Sequence, residues 1–167
     1  MVLMEQLKKF KVKKIIYASS GSVYGIKKER KVTENLSLKP LSTYNKVKMV
    51  TERVILSYKK YINVIILRPA TVCGYSPRMR LDVAVNMLTF QALKNKKIVV
   101  FGGSQTRPNI HIDDMVDVYK HFIENPNIDD GFFNAGFENI SILEIAKLIQ
   151  SKIDCEIQIK PSNDPRS

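Results

Sequence analysis

Tyr44 and Lys48, in the stretch Ser42-Thr-Tyr-Asn-Lys-Val-Lys48, stand four residues apart. On a helix that spacing puts them on one side, with Cβ atoms about 5–6 Å apart. A lysine cation beside a phenol favours the phenolate, which can take a proton from a substrate hydroxyl and later return it. Alone the spacing is common by chance, and an exposed helical pair explains it equally well. Upstream, Ser19-Ser20-Gly21-Ser22-Val23-Tyr24-Gly25 follows directly on the β-rich run 13–18. In α/β proteins ligands bind beyond the carboxyl ends of strands. A hydroxyl there could hydrogen-bond the same oxygen that Tyr44 deprotonates; a plain serine–glycine turn is the simpler alternative.

The elements that must position these residues alternate between strand and helix. The pattern predicts a helix end at 2–10, a strand at 13–18 and a loop over 19–41. Ser42 is then an N-cap for a helix to about Tyr61, with Val47, Val50, Val54, Tyr58 and Tyr61 at helical spacing. Residues 63–67 read as a buried strand stopped by Arg68-Pro69. A loop over 70–81, a helix over 82–94 and a strand over 97–101 ending in Gly102-Gly103 come next. A short extended piece at 109–111 leads to a helix capped by Asp113 and running to about Glu124. A strand follows at 132–134. Ser141 and Glu144 form a capping box for a helix whose apolar face is Ile142, Ile145, Ala146 and Ile149. A last strand covers 156–159. Such alternation predicts an α/β protein with mostly parallel pairing.

The 167 residues suit one domain, or one domain and part of another, with a composition typical of soluble globular proteins. No apolar run approaches the roughly 18 residues of a membrane span, and the N-terminus is too charged for a secretory signal. Two cysteines, Cys73 and Cys155, make neither a disulfide framework nor a zinc site, so a reduced, cytoplasmic protein without a membrane partner is expected. Lys and Arg outnumber Asp and Glu by 27 to 16, a net charge of +11. No nucleic-acid-binding signature interleaves with the lysines, so they are read as solvated faces and no nucleic-acid partner is expected. His111, Asp113 and Asp114 are read as a helix start rather than a metal site. None of the seven glycines forms a GxGxxG dinucleotide fingerprint.

Taken in order, SSGSVYG after a strand, Tyr44-x3-Lys48, a strand ending Leu-Arg-Pro, then RPATVCGYSPRMRLD, VVFGGSQTRPNIHIDDMVDVY and FNAGFENISILEIAKLI resemble successive blocks of one family. It is the extended short-chain dehydrogenase/reductase family. More narrowly, the blocks resemble its NAD-dependent nucleotide-sugar epimerases and dehydratases, a group that includes UDP-galactose 4-epimerase and dTDP-glucose 4,6-dehydratase. The likeness covers nearly the whole chain.

The resemblance implies the C-terminal part of a Rossmann-like, doubly wound parallel sheet plus most of a small α/β substrate-binding lobe. Residues 1–167 would be a single partial domain. It would lack the GxxGxxG half, about a hundred residues of a full Rossmann unit, and the C-terminal end. Ser20, Tyr44 and Lys48 would be catalytic. Tyr44, Lys48, Pro69, Ala70 and Val72 would lie at the nicotinamide end of NAD, with NAD preferred over NADP and its adenine and pyrophosphate bed outside the chain. The nucleotide-diphosphate sugar would meet Ser20, Asn86, Arg107 and Arg166; Arg78 and Arg80 are weaker candidates. Arg107 suits the diphosphate because a guanidinium fork matches phosphate oxygens. A homodimer through the helix that carries Tyr44, or pairing with a missing N-terminal half, would also follow.

Three positions, in two motifs, depart from the family pattern. Asn45 and Val47 stand where small residues are usual between the Tyr and Lys, and Cys73 replaces a common Tyr and is read as a buried small residue. The alternative to an active enzyme is a non-catalytic remnant, or one half of a split enzyme that cannot bind NAD alone.

Overall fold

The computed structural model describes residues 1–27, 29 and 31–162. They divide into two compact units, the first made of 1–70 and 114–135 and the second of 71–113 and 136–162.

In the first unit, helix α1 (Val2–Lys9) leads to strand β1 (Lys14–Ala18). A single 3₁₀ turn, Gly21–Tyr24, follows within the stretch expected to be loop. Helix α2 (Thr43–Leu56) starts where Ser42 predicts it, the Ser42 Oγ accepting the Asn45 N–H at 3.2 Å. It ends five residues before Tyr61. Beyond Ser57 the amides of Tyr58 and Lys59 bond the carbonyls of Ile55 and Leu56, three residues back, so the helix tightens and stops.

Strand β2 (Asn63–Pro69) pairs in parallel with β1 and with β6 (Gly131–Ala135), giving the order β1-β2-β6. It includes Arg68 and Pro69, which were expected to stop it. The centre of β2 is covered on both faces: Val64, Ile65, Ile66 and Leu67 have no exposure. One face packs Val64 and Ile66 with Met4 of α1, Ile55 of α2, and Tyr58 and Ile62 after it. Helix α4 (Ile112–Glu124) spans the boundary between the two units in sequence and carries Met115 and Phe122 as its buried residues.

The apolar stripe expected on α2 holds only in part: Tyr58 is buried in the core and Val54 half-buried. Val47 and Val50 are 58% and 53% exposed, Tyr61 is exposed, and the helix buries Glu52 and Ile55 instead. The buried side of α2 is set by the Glu52 carboxylate finding a cation in β2, which the apolar spacing could not reveal.

The second unit holds β3 (Thr71–Cys73), α3 (Ala84–Asn95), β4 (Lys97–Phe101), β5 (Thr106–His111), β7 (Glu138–Ser141), α5 (Ile142–Gln150) and β8 (Glu156–Lys160). Strand β5 pairs in parallel with β3 and antiparallel with β7, and β4 pairs in parallel with β8. Strands β3 and β7 were not foreseen; each is too short for its own periodic signal. Leu88, Ala92, Ile98, Val100, Ile145 and Ala146 form the core. The capping box is present, Ser141 Oγ accepting the Glu144 N–H at 3.1 Å while the Glu144 carboxylate accepts the Ser141 N–H at 2.9 Å. Asp113 is not a cap, because β5 runs directly into α4. The Asp113 N–H instead meets His111 Nδ1 at 3.3 Å.

Candidate active site

The turn after β1 and the first half of α2 come together in the first unit. Ser20 is the residue before the 3₁₀ turn, in extended conformation, and its Oγ accepts the Ser22 N–H at 3.2 Å. The Ser20 and Ser22 hydroxyl oxygens are 2.7 Å apart, and Ser22 Oγ donates to Asn45 Oδ1 at 2.7 Å. Ser22 has one proton and gives it to Asn45, so its oxygen accepts from Ser20. Asn45, where the family pattern has a small residue, thus joins the serine turn to α2.

Two crowded points shape the turn. Gly25 has φ of 71°, and a Cβ there would run into the Lys39 carbonyl. A Cβ on Gly21 would come to 3.2 Å from the Pro69 carbonyl oxygen, so the turn lies directly against the end of β2.

Tyr44 sits in the first turn of α2, 58% exposed, and its hydroxyl has no hydrogen-bond partner among the described residues. Lys48, one turn on, is half-buried. Its Nζ donates to the Ala18 carbonyl at the end of β1, at 2.7 Å, and lies 5.1 Å and 5.7 Å from the ring centres of Tyr17 and Tyr44. An ammonium has three protons, so two remain for other acceptors. Ser20, Tyr44, Lys48 and Pro69 therefore border one region at the carboxyl ends of β1 and β2, where ligands bind in such sheets. Ala70 continues from Pro69, its N–H bonded to the Ala135 carbonyl at 2.7 Å.

The remaining candidates belong to the second unit or lie outside the described residues. Val72 is half-buried in β3, opposite Ile110 of β5. Asn86 is occupied as a brace: its Oδ1 accepts the Gly74 N–H and its Nδ2 donates to the Arg80 carbonyl, both at 2.9 Å. Arg107 is half-buried on β5 and makes a long bond of 3.4 Å to the Thr106 carbonyl, so most of the guanidinium's donors have no acceptor among the described residues. Two residues on, Asn109 holds a buried Oδ1 with no partner among the described residues. Arg166 lies outside the described residues. Cys73 is half-buried, and burial pushes its thiol up, which suits a packing role.

Sequence reasoning missed a buried polar network beneath the turn. Glu52 and Arg68 are 1% and 3% exposed. Arg68 Nη2 donates to Glu52 Oε2 at 2.7 Å and Nε to Oε1 at 3.0 Å, a two-pronged pair. The Ser19 hydroxyl also donates to Glu52 Oε1. On the far side of the guanidinium, Nη1 donates to the Tyr24 hydroxyl at 2.7 Å, and Tyr24 donates to Asn134 Oδ1 at 2.8 Å. Burial works to lower the Arg68 pKa. The hydrogen bonds to Glu52 and Tyr24 and the Glu52 charge outweigh it, and the guanidinium is held above its usual value. The available signals were Glu52 four residues after Lys48 and a lone arginine closing an apolar strand.

Comparison with known proteins decides the family: the model of the NAD dependent epimerase/dehydratase family matches residues 1–136. The chain belongs to that family. A curated relative, the uncharacterized UDP-glucose epimerase YtcB of Bacillus subtilis (strain 168), is 36% identical over 152 residues, 89% of this chain and 47% of that protein. The UDP-glucuronic acid 4-epimerase of Bacillus cereus, solved with UDP-glucuronic acid and NAD, superposes with a TM-score of 0.81 at 35% identity, over 96% of this chain and 52% of that one. The dTDP-glucose 4,6-dehydratase of Bacillus anthracis str. Ames, solved with NAD, gives a TM-score of 0.79 at 25% identity, over 97% and 54%. The chain thus spans about half the length of these relatives, and its α/β architecture is that of Rossmann-like epimerases. No helix among the described residues is long and apolar enough to cross a membrane.

Proposed function

We propose that this chain supplies the catalytic face of an NAD-dependent nucleotide-sugar epimerase or dehydratase. The observation that carries the reading is the meeting of Ser20, Tyr44 and Lys48 at the carboxyl end of β1, with the Tyr44 phenol open and Lys48 anchored on Ala18. Tyr44 is the general base that takes the sugar hydroxyl proton and later returns it. Ser20, its hydroxyl 2.7 Å from that of Ser22 at rest, turns its own O–H to donate to the sugar oxygen that Tyr44 deprotonates. Lys48 supplies positive charge beside Tyr44 and two N–H groups for ribose oxygens. Bound NAD would supply the acceptor for the hydride that leaves the sugar carbon.

The residues present fit the nicotinamide end of that cofactor. The donors of Tyr44 and Lys48 suit its ribose, and Pro69 and Ala70 lie at the same ends of β1 and β2. The chain's glycines form no phosphate-binding turn, so activity is proposed of the assembly that includes one. In the second unit Arg107, with most of its fork unused, is the candidate for the diphosphate. The exposed Val47 and Val50 of α2 support docking of a second copy along that helix.

The test is Tyr44→Phe in the assembly that turns over a nucleotide sugar. Turnover should fall by at least about a hundredfold, the scale of a lost general base. Near-wild-type turnover by the phenylalanine variant would overturn the proposal.

A further inference from the structure

Every element that carries Ser20, Tyr44 or Lys48 is tied to one buried ion pair. Tyr44, Lys48 and Glu52 follow each other at four-residue intervals on α2 and share one side of it. Glu52 is clasped by Nε and Nη2 of Arg68 from β2. The turn that contains Ser20 is tethered to this pair at both ends: Ser19 bonds the carboxylate and Tyr24 bonds the guanidinium. Asn134 takes the Tyr24 proton and carries the network to β6.

We infer that Glu52 and Arg68 are positioning residues, which set where the Ser20 hydroxyl stands relative to Tyr44 and Lys48. This rests on the Ser20–Tyr44–Lys48 reading above. The physical argument concerns direction. Apolar residues of the same volume would fill this space at no loss of stability in many proteins. They would not orient two hydroxyls. A planar fork fixes its acceptors in angle as well as distance, and here its two sides hold the two ends of a short turn. A proton transfer between oxygens tolerates little misplacement, about 1 Å being enough to cost a hundredfold in rate.

Two conservative variants test this without removing the buried charges. Tyr24→Phe deletes one tether and leaves the ion pair whole. Arg68→Lys keeps the positive charge but has no fork to reach both Glu52 and Tyr24. Amide hydrogen exchange reports on each variant whether or not it turns over. The amides of Ser22, Val23 and Gly25, all bonded within the turn, should exchange about tenfold faster, the scale of one lost hydrogen bond. Those of Ile65 and Ile66 in β2 should keep wild-type rates. In the active assembly kcat should fall about tenfold or more with KM nearly unchanged. Equal acceleration in the turn and in β2, or none in either, overturns the inference and marks the pair as general core. Local acceleration with unchanged kcat overturns it as well. Full turnover by Tyr44→Phe would instead sink the underlying catalytic reading, so the two failures are told apart.

Discussion

Two arginine–carboxylate pairs of almost equal length behave as opposites in this protein. Arg68–Glu52 in the first unit closes at 2.7 Å with the side chains 3% and 1% exposed. Arg80–Asp82 in the second closes at 2.6 Å with 69% and 68% exposed. The contact geometry is the same and the surroundings are not. Water and salt screen the second pair, which adds little to stability. The first is cut off from water, so removing either partner strands the other, and the Ser19 and Tyr24 hydroxyls each bond one member of it. Bond length says nothing about importance here; burial and shared partners decide it.

The largest effect should come from breaking the buried pair on one side. Glu52→Ala leaves the Arg68 charge in the core and should cost about 3–5 kcal/mol, seen as a lower urea midpoint with an unchanged slope. An unchanged midpoint would mean that water reaches Arg68 freely. Replacing both partners, Glu52→Met with Arg68→Met, should recover most of that loss. A residue of about 1–3 kcal/mol should remain because Ser19 and Tyr24 lose their partners. A double variant as weak as the single one would show that the ion pair is itself strongly stabilising. Next comes the cap of the helix that carries Glu52: Ser42→Ala should cost about 1 kcal/mol and fray the end that bears Tyr44, measured by amide exchange of Asn45 and Lys46.

The smallest effect belongs to the exposed pair. Its hydrogen bond from Arg80 holds the Asp82 carboxyl below the usual carboxylate range. A depressed folded pKa contributes stability that is present above the unfolded pKa and lost as pH falls through the folded one. Arg80→Ala should therefore shift the melting midpoint only slightly at neutral pH. The shift should vanish both in acid and at high salt; a salt-insensitive shift would count against a screened pair.

The catalytic candidates were more legible than the machinery beneath them. Tyr44 and Lys48 could be read because a helix repeats every 3.6 residues and an N-cap serine precedes them, and the structure keeps that local geometry. Ser20 could be read because it follows a strand. The Ser141–Glu144 box could be read because both partners are three residues apart. Val47 and Val50 were placed in the core because valines at helical spacing look like a core stripe, and nothing local says that a glutamate will be buried in their place.

The sequence by itself determined the alternation of strands and helices, the helix starts at Ser42 and Ser141, the family blocks, and the one-sided placement of Tyr44 and Lys48. All of these depend on residues within a few positions of one another, where backbone sterics and local hydrogen bonds suffice. Tertiary structure alone decided that Glu52 meets Arg68 sixteen positions away. It alone brought Tyr24 to Asn134 across 110 positions and turned Asn45 into the acceptor for Ser22. A buried polar group must find a partner wherever the folded chain brings one, and the identity of that partner is a property of the assembled core.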